Sequence, residues 1–369
     1  MFVPTPASPV RAAARRAVIA AFSLLLCAAV SLAADKVTPT FPFPNKPTEP
    51  LTAVTGQLID AETLAKHQKG TLLLLHINDV HDILKAPVKG LGGLAYVAGY
   101  AKQMRARRPD TLFVDAGDIL QKGDRMSVVS QGEAGYRALG ALGLDCSVPG
   151  NHDFCYGFEV FLKNIKLPGL NVLCAGMVYG DTRESVLPET MIKQIGPLRV
   201  GLIGATINRP VKNPRPVVKL DNPDLGKRID ELARKMEPNV DLTVLVLHNG
   251  MWAGKTMASA APLIDLVVCG HTNEVTQTPL KAESGALVVE VGRAGMWVGQ
   301  MDLVVDRDQK KIGKYTYELV PMDHAKIQPD APIAKLIEEM DRKWCPENYV
   351  PKEEAASTTA AKGANSGKE

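Results

Sequence analysis

Along most of the chain, short apolar runs alternate with amphipathic stretches. Residues 71–77 hold four leucines, a histidine and an isoleucine, the pattern of a strand buried on both faces. Over 91–107, Leu94, Val97, Ala98, Ala101 and Met104 fall on one face of a helix. Residues 111–114 predict a second strand and 128–142 a second helix. Further strands are predicted over 172–175, 198–203, 242–247 and 264–269, with a helix over 224–236. After Ala286 the pattern is β only, with strands over 287–291, 296–305 and 315–320 and a turn at 306–310 between the last two. A closing helix is predicted over 332–344, with Pro332 near its first turn. Such alternation predicts an α/β fold with sheets covered by helices. No repeat of 20 to 50 residues is visible.

The ends of the chain read differently. Arg11, Arg15 and Arg16 precede an uncharged, alanine-rich run from 17 to 34, with small residues at Ser31 and Ala33. This is the pattern of a secretory signal, so export to the periplasm or beyond is expected. The run is barely long enough to span a bilayer, so cleavage is expected rather than a stable membrane anchor. Residues 35–52 carry Pro39, Pro42, Pro44, Pro47 and Pro50 and read as an extended linker. Residues 348–369 are polar and read as a disordered tail. The folded body is then 53–347, one domain.

Charge adds one exclusion. The three signal arginines account for the whole excess of 43 basic over 40 acidic side chains. The body is neutral, with no broad basic field, so no nucleic-acid partner is expected. Five cysteines follow the signal: Cys146, Cys155, Cys174, Cys269 and Cys345. None shows CxxC spacing, and an odd count leaves at least one thiol free or bridged to another chain. The oligomeric state stays open.

The chemistry sits where strands end, the place where α/β folds gather ligands. The first strand runs into Asn78-Asp79-Val80-His81-Asp82 and the second into Asp115-Ala116-Gly117-Asp118. Gly150-Asn151-His152-Asp153 follows a short apolar turn. Two later strands end in His248-Asn249-Gly250 and Gly270-His271-Thr272-Asn273. Any one of these is ordinary turn chemistry. Together they place four of the seven histidines beside carboxylates, amides and glycines at strand ends.

This ordered set resembles the calcineurin-like metallophosphoesterase superfamily, whose motifs read D-x-H, GD, GNH-D/E, a lone H and GHxH. The strings 75–81, 112–118 and 142–157, and the late Gly292-Arg293-Ala294-Gly295, resemble its 5′-nucleotidase and 2′,3′-cyclic-nucleotide phosphodiesterase branch. The resemblance implies a four-layer αββα sandwich, two packed mixed sheets flanked by helices. It implies two divalent metal ions. Asp79 and His81 would bind the first, Asp118 would bridge both, and Asn151, His248 and His271 would bind the second. Asn273 would complete the first site. Mixed oxygen and imidazole ligands suit Mn, Zn or Fe. The implied reaction is attack on a small phosphoester by a hydroxide bridging the metals. The expected catalytic residues are His152, as general acid, and Asn151.

Three positions depart from the family pattern. Asn273 stands where histidine or glutamine is usual. Cys155 replaces a carboxylate or amide that orients the catalytic histidine, and a thiol holds an imidazolium poorly. Asp82 replaces a glycine and is expected to be solvated or to cap a turn. Other residues carry less. His76 is expected to be packed inside its strand, and His67 and His324 have no partner in the sequence. Trp252 either lines the mouth of the site or packs. Arg209 and Arg293 either meet a phosphate or stay solvated. Relatives of this branch resemble two-domain proteins whose second domain holds the base; from the chain length no such domain is expected here. Phosphoester hydrolysis therefore carries over, whereas nucleotide specificity does not. Two other readings remain: a thiosulfohydrolase-like sulfur-bond hydrolase on the same scaffold, and a non-catalytic metal- or phosphate-binding protein.

Overall fold

Successive residues of a strand point to opposite faces, so an apolar strand feeds two cores at once. The structure, a computed structural model, describes residues 69–121, 123–207, 218–220 and 225–349. The expected signal and linker, His67, Arg209, Asp224 and the tail from 350 onward lie outside the described residues. In β1 (Lys69–Ile77), Leu73, Leu75 and Ile77 enter one core and Leu72 and Leu74 another.

β1 is the centre of a five-stranded sheet. Its parallel neighbour is β2 (Thr111–Asp115), followed by β3 (Cys146–Ser147). On its other side lies β12 (Trp297–Asp306), antiparallel to it, and then β13 (Lys311–Pro321), antiparallel to β12. A six-stranded sheet has four parallel strands at its heart. They are β6 (Leu198–Thr206), β8 (Leu242–His248), β9 (Leu266–Gly270) and β11 (Leu287–Val289). Its edges, β5 (Thr190–Ile195) and β10 (Leu280–Lys281), are antiparallel. β4 (Met177–Tyr179) and β7 (Val218–Leu220) form a separate pair.

Three cores separate four layers. Between the sheets, Leu72, Leu74, Leu112, Val114 and Leu303 meet Leu202, Val244, Val246 and Val268. Outside the first sheet, its odd-numbered β1 residues pack under five helices. These are α1 (Leu94–Arg107), α2 (Arg125–Val129), α3 (Glu133–Ala141), α4 (Phe158–Asn164) and α7 (Ala331–Trp344). Outside the second sheet, Ile203, Leu245 and Val267 pack against α5 (Leu225–Met236) and α6 (Gly250–Ala260). The order helix, sheet, sheet, helix is the expected sandwich. Truncating a fully buried leucine such as Leu74 to alanine in such a core costs about 2–5 kcal/mol.

Several local expectations need correction. The first helix begins at Leu94, not 91, because Leu91 bridges to Asp323 and the Gly92 N–H bonds Met322 O. The helix expected over 128–142 is two, broken where Gln131 and Gly132 take φ of 53° and 84°. Residues 172–175 are not a ladder strand. Val172 makes one bridge to Ser147, and the Ala175 N–H reaches across to Gly204 O. Helix α6 has no counterpart in the apolar pattern because its buried stripe includes Gly250 and Gly254. Asn348 and Tyr349, expected in the tail, form a turn in which the Tyr349 hydroxyl donates to Asp341 Oδ2 at 2.9 Å. No helix among the described residues is long and apolar enough to cross a membrane.

Candidate metal centre

The carboxyl ends of β1, β2, β3, β8 and β9 converge. Backbone bonds lace the first two loops together: the Asp79 N–H donates to Gly117 O at 2.8 Å and the His81 N–H to Asp118 O at 2.9 Å. This lacing forces unusual backbone. Asp79, His81, Asp82, Asp118, His271 and Asn273 all have positive φ, six of ten such non-glycine residues described. Left-handed conformations of this kind are costly, and they cluster where surrounding structure overrides them. Gly150 completes the lacing, because a Cβ there would run into Asp118 Oδ1.

Asp118 stands in two triads. One is Asp79, His81 and Asp118; the other is Asp118, His248 and His271. Within each triad the candidate ligand atoms lie within 4.8 Å of one another. Asp79 and His248 are fully buried. Asp79 Oδ2 accepts from Asn78 Nδ2 at 2.7 Å and from the His271 N–H at 2.9 Å. Its Oδ1 has no hydrogen bond and lies 3.3 Å from His81 Nε2. His248 Nδ1 lies 2.8 Å from Ala116 O. That bond assigns the proton to Nδ1 and leaves the Nε2 lone pair facing Asp118 Oδ2, 3.1 Å away, without a hydrogen bond.

Two amides complete the picture. Asn273 Nδ2 donates to His271 O at 3.3 Å, while its Oδ1 is buried without a partner. Asn151 Oδ1 is likewise buried and unpartnered. Buried polar atoms are nearly always satisfied, so these oxygens, Asp79 Oδ1 and His248 Nε2 form an unusual concentration of unmet acceptors. Carboxylate and amide oxygens gathered around imidazole nitrogens make a donor set that fits a cation.

The electrostatics agree. Burial pulls the His248 imidazole down, but Asp118 and Asp79 outweigh it and raise it to about 9. His81 is raised too, burial being outweighed by Asp79 and Asp118. Asp118 is held below the usual carboxylate range; burial opposes this, and His248 and His81 overcome it. The field that favours protons on these histidines favours metal cations equally.

His152 is half-buried, its ring edge-on to His81 at 5.6 Å. Its N–H donates to Asp118 Oδ1 at 2.8 Å, and its imidazole makes no side-chain hydrogen bond among the described residues. Cys155 is exposed, and its N–H bonds His152 O at 2.9 Å. All five cysteines of the described residues are unpaired. Asp82 is not solvated: it is fully buried, and its Oδ2 accepts from the Gln121 N–H at 2.7 Å. His76 is buried, as expected, with Nε2 3.2 Å from the Tyr317 hydroxyl. His324 stacks on Tyr96, ring centroids 3.6 Å apart.

Four supporting residues were not singled out in the sequence. Asn78 accepts from the Val291 N–H and donates to Gly292 O as well as to Asp79. It therefore ties the first sheet's ligand loop to the end of β11. Asp153 accepts from three backbone N–H groups, those of Asp118, Leu120 and Gly150, and so joins two ligand loops. Asp115 accepts from the Ser147 hydroxyl at 2.7 Å. Glu290 holds the Thr272 N–H and hydroxyl between His271 and Asn273. A carboxylate ending an apolar run, as at Glu290, was the available signal.

The chain matches the calcineurin-like phosphoesterase family over residues 72–274, more than half its length. It is 30% identical over 226 residues to the snake venom 5′-nucleotidase of Naja atra, covering 56% of this chain and 42% of that one. It is 23% identical over 305 residues to the endonuclease YhcR of Bacillus subtilis, covering 73% of this chain and 25% of that one. The chain thus spans between a quarter and about two fifths of these relatives. Among solved structures, a sulfate thiohydrolase from Thermus thermophilus superimposes with a TM-score of 0.66 at 19% identity, over 74% of this chain and 60% of that one.

Proposed function

We propose that this chain, which belongs to the calcineurin-like phosphoesterase family, is an exported dimetal hydrolase acting on a nucleotide or another small phosphate ester. The observation that carries the reading is Asp118 shared between two three-residue clusters of ligand type. Asp79, His81, Asp118 and Asn273 would hold one cation; Asp118, Asn151, His248 and His271 the other. The donor set suits Mn, Zn or Fe. When bound, two such ions neutralise charge developing on the phosphoryl oxygens and make water nucleophilic at neutral pH.

The chain's own residues do the rest. His248 presents Nε2 because Ala116 O holds its Nδ1 proton. Asp79 presents Oδ1 because Asn78 and the His271 N–H occupy Oδ2. His152, whose N–H is anchored to Asp118, would give a proton to the leaving oxygen. Likeness to a 5′-nucleotidase supports a nucleotide substrate, and the 1–34 pattern supports export.

The test is metal analysis with a substrate screen. Two metal equivalents, turnover of bis-p-nitrophenyl phosphate or AMP with Mn or Zn, and a loss of about 10²–10⁴-fold in His152→Ala support the reading. Two bound metals with no phosphoester turnover would sink it. Turnover of a sulfane-sulfur substrate instead would favour the sulfur-bond reading.

A further inference from the structure

Trp252 is the third residue of α6, four positions after His248. At 64% it is the most exposed large apolar side chain among the described residues. The packed stripe of α6 is Met251, Gly254 and Ala258. Packing thus accounts for those residues and not for the indole.

The turn that carries Trp252 is fixed against the metal-centre loops. Gly250, at φ 76°, lies so close to Thr272 that a Cβ would meet its Cγ2 at 2.7 Å. Met251 Sδ accepts from the Thr276 hydroxyl at 3.0 Å. Gly250 and Met251, which precede Trp252, are therefore clasped to the loop bearing His271 and Asn273. That loop also exposes Val275. Lys255, one turn on, sets its Nζ 5.7 Å from the Trp252 ring centroid, adding positive charge beside the indole.

We propose that Trp252 is a stacking platform for a planar ring on the substrate, which makes it a specificity residue for nucleobase-bearing esters. The proposal rests on the phosphoester reading above and names the substrate class within it. Every nucleobase has a π-face, so a lone indole favours any base over none without choosing among bases. Its ligand is thus a nucleoside monophosphate of loose base preference rather than a glycerol-type ester.

The test compares AMP with glycerol 2-phosphate on the Mn-loaded full chain. Trp252→Ala should lower kcat/KM for AMP about tenfold more than for glycerol 2-phosphate, through KM. Trp252→Phe, which keeps a ring, should recover most of the difference. AMP should quench tryptophan emission, and Trp252→Ala should lose that quench although Trp297 and Trp344 remain. Equal losses on both esters, a phenylalanine variant no better than alanine, or a quench that survives Trp252→Ala would each overturn the platform. If the wild type hydrolyses neither ester, the phosphoester reading falls, and the quench alone decides the platform.

Discussion

The two ends of the parallel strands handle buried carboxylates in opposite ways. At the amino ends, acids meet fixed cations. Asp110 accepts from Arg108 and the Thr71 hydroxyl, Asp145 from Arg105 and Lys193, and Asp241 from Arg199. At the carboxyl ends, the partners are backbone N–H groups, neutral side chains and histidines. Asp153 holds three N–H groups, Asp115 a serine, Glu290 a threonine, and Asp79 an asparagine and an N–H. Burial raises Asp115 and Glu290 to about 7 and Asp153 to about 8. One end is compensated within the chain. The other is a field of negative charge that a cation from outside would complete.

The largest expected effect tests that contrast directly. Asp118→Asn removes the residue common to both triads. Bound Mn should fall from two equivalents to one or none by atomic absorption. Turnover should fall by more than the roughly 100-fold that losing an outer partner costs. Retention of two tight metals would break the comparison.

Next is Asn78→Ala, which leaves every proposed ligand in place but removes one of the two donors to Asp79 Oδ2. Metal affinity should drop about 10–100-fold by competition with a chelator. An unchanged affinity with a lower Tm would reduce Asn78 to a structural tie between the sheets.

At the other end, Asp110→Ala strands the Thr71 hydroxyl and leaves Arg108 with Asp302 alone. It should cost about 1–3 kcal/mol in urea unfolding and leave metal binding alone. A loss of metal would mean the two ends are not separate.

How much of this was legible depended on whether a role lies in the residue or in its surroundings. Layers were legible because Leu72 to Ile77 alternate between two cores, and a near-continuous apolar run signals burial on both faces. That Asp79, His81, Asp118, His248 and His271 would cluster was legible because ligand-type chemistry is a property of the side chain. Asn78 and Asp153 were not, because their role is set by which backbone N–H groups arrive from residues far along the chain. Asp82 misled for the same reason: nothing local shows that the Gln121 N–H buries it. The break at Gln131–Gly132 and the glycine-bearing stripe of α6 were hidden because periodicity records apolar positions, not backbone handedness.

The smallest predicted effect concerns the exception that sharpens the contrast. Asp265 lies at the amino end of β9, where acids are usually paired, yet its partner is the Thr243 N–H at 2.8 Å. Burial raises it to about 7, with only Lys311 opposing electrostatically. In the unfolded chain the same group titrates near the ordinary aspartate value, about 4. The folded state therefore holds the proton more tightly across that interval. Its contribution favours folding below pH 4, is lost progressively as pH rises toward 7, and is flat above. Asp265→Asn keeps an oxygen for the Thr243 N–H but cannot ionise. Measured in chelator, the variant should gain about 1 kcal/mol on the wild type between pH 5 and pH 6, some 2–4 °C in Tm. Taking the difference between the two proteins cancels the other groups that titrate in the same window. Parallel Tm curves would mean that Lys311 already compensates Asp265. In that case position along the strands, rather than the presence of a fixed partner, would set how this fold tolerates a buried acid.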